Sequence, residues 1–294
     1  MEIVFLKAKQ SLAKEISKEG TKPYPLTKNF TSIHYEIDNN KKGFNSFYKL
    51  LTKHAASGHC LHKGVLKKQL KNESRALMAD RNAPTNLLVL DIDGLPYKSG
   101  NVGIGTVSEM IILQLPEIFH DVSYVAQASA SLGFKKDKLS LHLFFFMDMP
   151  VHPKTLKDWL RTLNYNSDFL AEQITLSANG QSLSYILDPS VADNSKLIYI
   201  APPVFKDVQD PLRKKADLPK KNEKVATVNV AGELQEVLQN PDKMTIQITR
   251  VADPYVNCNI NGGDSGAYFF LLTNPHYMYN FKGEPIWEIE KADP

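Results

Sequence analysis

The chain has 294 residues, of which 43% are hydrophobic and 23% are charged. This length suffices for one large domain or two modest ones with a buried core, and the composition is ordinary for a globular protein. No run approaches the roughly 18 uninterrupted apolar residues of a membrane-spanning helix, and the first residues (MEIVFLK) do not resemble a secretory signal. The two cysteines, Cys60 and Cys258, are too few for a disulfide framework, so we expect a cytoplasmic protein without membrane association.

The formal net charge is +3, but the basic residues are unevenly distributed. Lys49 to Arg75 contains seven Lys or Arg and one acid, Glu73, which gives a local balance of +6. Such a segment can follow a phosphate backbone, and its candidate contacts are Lys63, Lys67, Lys68 and Arg75. Two alternatives remain open: the segment is a solvated helical face, or the second basic run at 206–224 binds nucleic acid instead.

Hydrophobic periodicity and turn residues predict the following elements in chain order. They are a helix at 44–56 ended by Gly58, a turn at 59–64, a short element at 65–70, a strand at 86–93, a helix at 107–115, strands at 122–127 and 139–147, a helix at 153–163, strands at 183–187 and 197–200, a charged linker at 206–223 and a short helix at 233–239. These elements indicate an α+β fold with an N-terminal module at 1–80, a sheet module at 81–205, and a linker with a C-terminal extension at 206–294.

Asp91 and Asp93 close the apolar strand predicted at 86–93 (NLLVLDID). Residues two apart in a strand point to the same face, so both carboxylates project together from a hydrophobic element. Like charges at that position repel each other and lose hydration, and a divalent cation would offset both penalties. Oxygen ligands suit Mg²⁺ or Mn²⁺. The alternative is a pair of Asp residues that caps a strand-to-turn boundary.

Ser140 and His142 share one face of the strand predicted at 139–147, by the same alternation. They follow a small polar stretch that contains Ser129 and Ser131. Hydroxyl, imidazole and loop N–H groups together can hold a triphosphate. Asp188 ends the strand predicted at 183–187 and supplies a third carboxylate, while Lys196 is either a phosphate contact or a surface lysine.

Asp-x-Asp on a strand, then Ser-x-His on a strand, then a lone Asp at a strand end is an order that resembles the archaeo-eukaryotic primase superfamily. The closer likeness is to the primase-polymerases of phages and plasmids. It is carried by the stretches 88–94 (LVLDIDG), 129–131 (SAS), 139–142 (LSLH), 186–190 (ILDPS) and 197–203 (LIYIAPP). It is clearest over residues 50–205, and each motif alone is short and unspecific.

The resemblance implies an α/β module packed on an RNA-recognition-like catalytic sheet. It implies that Asp91, Asp93 and Asp188 bind two Mg²⁺ or Mn²⁺ ions and that Ser129, Ser131, Ser140, His142 and Lys196 contact the nucleotide, although many relatives carry Arg where Lys196 stands. The implied activity is DNA primase or DNA-directed polymerase, with single-stranded DNA template, primer and dNTP or NTP as partners. We also expect residues 1–294 to form one domain of a longer chain, with a helicase domain or protein as a partner, in the host cytoplasm if the chain is phage-encoded.

Two other functions compete with this prediction. The segment Asp91–Gly94 (DIDG) also resembles the nucleophile motif of haloacid-dehalogenase-type phosphatases. In that family, however, Thr or Val usually follows the glycine, whereas Leu95 follows here. The second alternative is a non-catalytic replication-initiation module that binds DNA.

Overall fold

The computed structural model describes residues 1–97, 103–134, 137–176, 183–212, 214–218, 227–230, 246–252, 255–260, 267–270, 274–280 and 285–288. The fold is α+β, as predicted, with mostly antiparallel sheets and four α-helices among these residues. The chain forms two compact units, Met1–Leu160 with Ile186–Gly232 and Arg161–Tyr185 with Glu233–Pro294. The sequence boundaries at 80 and 205 stay a prediction.

The described residues form strands and helices with the following bounds. The strands are β1 (Glu2–Lys7), β2 (Glu15–Ser17), β3 (Gly20–Lys22), β4 (Asn29–Glu36), β5 (Cys60–His62), β6 (Val65–Leu66), β7 (Glu73–Ser74), β8 (Ala79–Asp80), β9 (Thr85–Pro96), β10 (Val125–Ala128), β11 (Lys138–Val151), β12 (Thr175–Leu176), β13 (Leu183–Ser184), β14 (Leu197–Ile198), β15 (Val204–Phe205), β16 (Ala216–Asp217), β17 (Thr227–Val228), β18 (Ile246–Ala252), β19 (Tyr255–Ile260), β20 (Ala267–Phe270), β21 (Asn274–Asn280) and β22 (Pro285–Glu288). The helices are α1 (Lys41–Ala56), α2 (Ile104–Ile112), α3 (Pro153–Asn166) and α4 (Asp168–Ala171), with 3-10 turns at Glu117–Phe119 and Pro189–Ala192.

The first sheet has the strand order β14-β5-β1-β4-β7, and its central strand β1 is buried from Ile3 to Leu6. One face packs on a cluster made of Val4, Leu6, Leu12, Phe30, Cys60, Leu66, Leu70 and Ala79. The turn predicted at 59–64 is wrong at residues 60–62. Those residues form β5, which pairs with both β1 and β14, and such long-range pairing leaves no local signal.

Helix α1 confirms the helix predicted at 44–56. It begins at the Asn40 cap, whose side chain accepts from the Gly43 N–H at 3.0 Å. It ends before Gly58, which has a φ of +71° and closes the helix as glycine commonly does. Its buried rings connect the two sheets: His54 stacks on Phe5 at 4.0 Å, and Phe47 contacts Phe144 at 5.7 Å.

The second sheet is built on the long strand β11, which pairs antiparallel with β9 and β10 and parallel with β17. Both of its faces are covered. Phe144 and Phe146 pack on α1, whereas Phe145 contacts Phe119 and Tyr124 on the other face. Leu87 to Leu90 in β9 are all at most 3% exposed, which confirms the prediction of a strand buried on both sides.

Several predicted boundaries differ from the observed ones. Strand β9 continues past Gly94 to Pro96 because Leu95 and Pro96 still pair with β11. The predicted strand at 183–187 is reduced to β13 and a single bridge from Leu187 to Ile92. The predicted linker at 206–223 is wrong at 216–217, where β16 pairs with β10. The helix predicted at 233–239 lies outside the described residues.

The second unit contains an antiparallel sheet of β18 to β22 in sequential order, and the short pair β12-β13. The Tyr185 hydroxyl donates to the Ile248 carbonyl at 3.1 Å and lies 2.8 Å from the Tyr165 hydroxyl. Among the described residues of both units, no helix has the length and apolar character needed to cross a membrane.

Candidate active site

Cross-strand pairing between β9 and β11 places the four predicted side chains in two facing pairs. Asp91 is paired with His142, and Asp93 is paired with Ser140. The register shifts by one residue between Leu139 and Ser140, next to Gly94, whose φ is +75°. The irregularity therefore lies at the carboxylate pair.

Ser140 is only 2% exposed and is bonded to Asp93. Its Oγ donates to Asp93 Oδ1 at 2.7 Å and accepts from the Gly94 N–H at 3.1 Å. The hydroxyl therefore holds the Asp93 carboxylate in place. This contact favours a positioning role for Ser140 over the predicted contact with a phosphate.

His142 connects Asp91 to the interior. Its Nε2 lies 3.5 Å from Asp91 Oδ1, and its Nδ1 lies 3.3 Å from Gln127 Oε1. The Gln127 amide donates to the Ile200 carbonyl at 2.6 Å, so its oxygen is the acceptor that faces His142. Nδ1 must then donate, and Nε2 of a neutral ring would present a lone pair to Asp91. One additional proton, on Nε2 or on the Asp91 carboxyl, makes this contact favourable.

Asp188 is brought to β9 by backbone hydrogen bonds. Its N–H donates to the Asp91 carbonyl at 3.0 Å, and the Asp93 N–H donates to the Ile186 carbonyl at 3.2 Å. The Asp188 side chain caps the 3-10 turn that follows it, accepting from the Ser190 N–H at 2.8 Å and the Ser190 hydroxyl at 2.6 Å. Lys196 Nζ donates to the same carboxylate at 3.3 Å. The three predicted carboxylates thus lie on neighbouring segments, and Lys196 supplies a positive charge beside them.

Burial and the neighbouring charges both act on Asp91. Burial raises the pKa of Asp91, the facing His142 lowers it, Asp188 and Asp93 raise it further, and Lys196 lowers it. Negative charge is therefore costly at Asp91 without a nearby cation. A carboxyl whose pKa is raised in a group of carboxyls is typical of functional sites.

The donor set suits hard cations, because three carboxylates offer oxygen ligands and repel one another. Within the described part of the chain, however, no three His, Cys, Asp or Glu side chains are already arranged as a metal-binding group. Asp93 is turned to Ser140, and Asp188 is turned to Ser190 and Lys196. Each of these two carboxylates is satisfied by protein donors, and Lys196 provides the counter-charge of Asp188.

Ser129 and Ser131 lie in the turn that follows β10. Their hydroxyls are 3.1 Å apart, and the Ser129 N–H donates to the Ser140 carbonyl at 3.1 Å. The structure thus places Ser129 beside β11 near Ser140, while the predicted contact of both serines with a nucleotide stays a prediction.

The predicted nucleic-acid residues divide into buried and exposed ones. Lys63 is 2% exposed, its Nζ donates to Thr85 Oγ1 at 3.0 Å, and burial lowers its pKa to about 7. This position does not fit contact with a phosphate backbone, so the assignment of Lys63 is corrected to an interior residue. Arg75 is half-buried and donates to the Ser195 carbonyl. Lys67 and Lys68 are exposed.

Three further residues near the carboxylates carried no sequence motif. Gln127 lies between Val and Ala residues of β10, and only its pairing with His142 reveals its role. Tyr24 stacks on Tyr199 with ring centroids 3.8 Å apart. Burial raises the pKa of Tyr24, and the charges of Tyr199, Asp91 and Asp93 raise it further. The Tyr24 ring therefore lies within electrostatic reach of both carboxylates.

A second polar cluster joins Glu2, His34 and Ser32 on the first sheet. His34 Nδ1 lies 2.7 Å from Glu2 Oε1, and its Nε2 lies 2.7 Å from Ser32 Oγ. The order of atoms is that of a serine hydrolase triad, and the three residues line a shallow pocket. Ser32, however, is 1% exposed, and its Oγ also accepts from the Leu70 N–H at 2.7 Å. A nucleophile must reach its substrate, so we assign this cluster a structural role between β1, β4 and Leu70.

Comparisons with protein-family models, with curated proteins and with solved structures found no match to this chain.

Proposed function

We propose that the chain is a template-directed nucleotidyl transferase of the primase-polymerase type, with a catalytic sheet of the archaeo-eukaryotic primase kind. The observation that carries the proposal is the cluster of Asp91, Asp93 and Asp188 on adjacent segments of one sheet edge. The raised pKa of Asp91 supports the proposal, because a bound cation stabilises negative charge at a site where burial and neighbouring carboxylates disfavour it.

In this proposal, Asp91, Asp93 and Asp188 would hold two Mg²⁺ or Mn²⁺ ions, whose chemistry would be to activate a 3′-hydroxyl and to neutralise the triphosphate. Ser140 and His142 hold the carboxylates from within the sheet, at 2.7 and 3.5 Å. Lys196 lies beside Asp188, where an ammonium can also pair with a phosphate oxygen. Ser129 and Ser131 offer hydroxyls from the neighbouring turn. The catalytic contribution of these residues is positioning and charge stabilisation.

The test is primer extension on a single-stranded DNA template, with dNTPs or NTPs and with Mg²⁺ or Mn²⁺. The proposal predicts metal-dependent and template-dependent incorporation. Release of phosphate from a chromogenic phosphate ester without incorporation would instead support the phosphatase. Binding of single-stranded DNA without either reaction would support the non-catalytic replication module.

A further inference from the structure

The stacked pair of Tyr24 and Tyr199 lies within electrostatic reach of the carboxylates and takes no part in the chemistry described above. The backbone of Tyr199 provides a second connection between the pair and the site. Tyr199 precedes Ile200, whose carbonyl accepts from Gln127, and Gln127 contacts His142. Ile198 and Ile200 are buried, whereas Tyr199 is partly exposed.

One face of the Tyr24 ring is filled by Tyr199, since the rings are 3.8 Å apart and inclined by only 10°. Lys14 Nζ lies over the Tyr24 ring, 4.8 Å from its centroid. A parallel ring at 3.8 Å leaves no room for an ammonium on that side, so Lys14 covers the other face. That face is thus covered by the ammonium of a long, flexible side chain, which a ligand can displace.

We propose that this face of Tyr24 is a stacking surface for the base of the nucleotide whose phosphates lie at the carboxylates. This assignment rests on the proposed function. A template-directed enzyme must accept all four bases, because base pairing with the template decides their identity. Stacking on an aromatic ring is tolerant of base identity, whereas hydrogen bonds to base edges are not.

The experiment compares two probes, dATP and inorganic tripolyphosphate, each titrated in the presence of Mg²⁺ into wild type, Tyr24→Phe and Tyr24→Leu. Phenylalanine keeps the ring, and leucine keeps apolar bulk without a flat surface. Stacking contributes about 1–3 kcal/mol per base, which corresponds to a decrease of roughly 5- to 150-fold in affinity. Tyr24→Leu should lose that much affinity for dATP and none for tripolyphosphate, whereas Tyr24→Phe should bind both as wild type does.

The ratio of the two affinities distinguishes a loss of base stacking from a folding defect, because a misfolded variant loses affinity for both ligands. Equal dATP affinity in wild type and Tyr24→Leu would overturn the stacking surface, as would an equal loss of both ligands in a variant whose thermal unfolding is unchanged. A loss of affinity for single-stranded DNA alone would also overturn it and assign the ring to the template. Failure of the proposed function gives a different result: wild type itself would show no metal-dependent binding of dATP and no incorporation.

Discussion

Ser140 donates its hydroxyl hydrogen to Asp93 across the strand pair β9–β11, at 2.7 Å, while the same oxygen accepts from the Gly94 N–H. This bond fixes a charged carboxylate from a position inside the sheet. It holds Asp93 in one orientation at the irregular end of β9. The bond therefore provides a direct way to separate positioning from substrate contact.

We predict that Ser140→Ala lowers kcat for nucleotide incorporation by about tenfold or more, since hydrogen bonds to charged groups contribute roughly 1.5–3 kcal/mol. The Mg²⁺ concentration for half-maximal activity should rise, because Asp93 loses its fixed orientation. Ser140→Thr keeps the hydroxyl and should restore most of the activity. The control is Ser46→Ala, which removes an exposed hydroxyl that donates to the Lys42 carbonyl on α1. A raised KM for nucleotide with unchanged kcat and Mg²⁺ dependence would instead assign Ser140 to the phosphates.

The second prediction concerns the basic segment at 49–75. Because Lys63 is buried, the exposed charges available to a phosphate backbone include Lys67 and Lys71. Reversing both to Glu should weaken binding of single-stranded DNA and flatten its dependence on salt. In a plot of the logarithm of the association constant against the logarithm of the salt concentration, the negative slope should become shallower by roughly 0.7 for each phosphate that the protein no longer neutralises. The measurement is DNA affinity at several salt concentrations.

The matched control for that variant reverses Lys154 and Lys157, two exposed residues of α3. Trp159 of the same helix stacks on Phe119, on the face of the second sheet opposite to α1. An unchanged salt dependence in Lys67→Glu/Lys71→Glu would move the template path to the run at 206–224. The described lysines of that run already pair with acids: Lys206 with Glu15, Lys214 with Asp217 and Lys215 with Asp210.

The sequence predicts best those features that depend on local periodicity. The apolar run 87–90 and the helical spacing from Phe44 identify β9 and α1, and the alternation along 139–147 places Ser140 and His142 on one face. The facing pairs themselves require the register between β9 and β11, which a one-residue shift at Ser140 determines. Lys63 and β5 could not be predicted from local periodicity, because long-range pairing places a basic, turn-like segment in the interior.

Tyr24 is a residue of the candidate site that local sequence patterns do not identify. It lies between β3 and β4, far from Asp91 in the sequence, and its neighbours Pro23 and Pro25 indicate only an irregular segment. Its position beside Tyr199 depends on two segments that meet only in the folded chain. Side chains of this kind are found from coordinates and not from motifs.

The third prediction concerns acid stability and the buried His62. It is 1% exposed, both ring nitrogens lack a hydrogen-bond partner among the described residues, and burial lowers its pKa from 6.5 to about 3. As the pH falls below 6.5, the unfolded chain takes up a proton that the folded chain does not accept until about pH 3. The free energy of unfolding therefore decreases as the pH falls through this window.

His62→Leu should make that decrease shallower between about pH 6.5 and pH 4, as measured by chemical denaturation at each pH. At pH 7 the variant should be as stable as wild type or more stable, because it removes two unsatisfied polar atoms from the interior. His152→Leu, at an exposed site, is the control and should leave the slope unchanged. If the free energy of unfolding decreases equally with falling pH in His62→Leu and in wild type, this explanation is contradicted.

The fourth prediction concerns Asp91 in the absence of nucleic acid. Burial and the neighbouring carboxylates raise the pKa of Asp91, so its ionised form costs stability above that pKa. Without divalent cations at pH 7, Asp91→Asn should unfold at the same temperature as wild type or at a higher one. Mg²⁺ should raise the unfolding temperature of wild type and not that of the variant. A lower unfolding temperature without cations, or equal stabilisation of both proteins by Mg²⁺, would contradict the metal assignment.

The most direct measurement of the proposed activity is primer extension by wild type, Asp91→Asn and Asp93→Asn on one single-stranded template, with Mg²⁺ or Mn²⁺. Asp121→Asn, which alters an exposed carboxylate outside the cluster, is the matched control. We predict metal-dependent extension by wild type and the control, and no detectable extension by the other two variants although they remain folded. Extension by Asp91→Asn or Asp93→Asn at the wild-type rate, or a wild type that extends no primer with either metal, would contradict the proposed function.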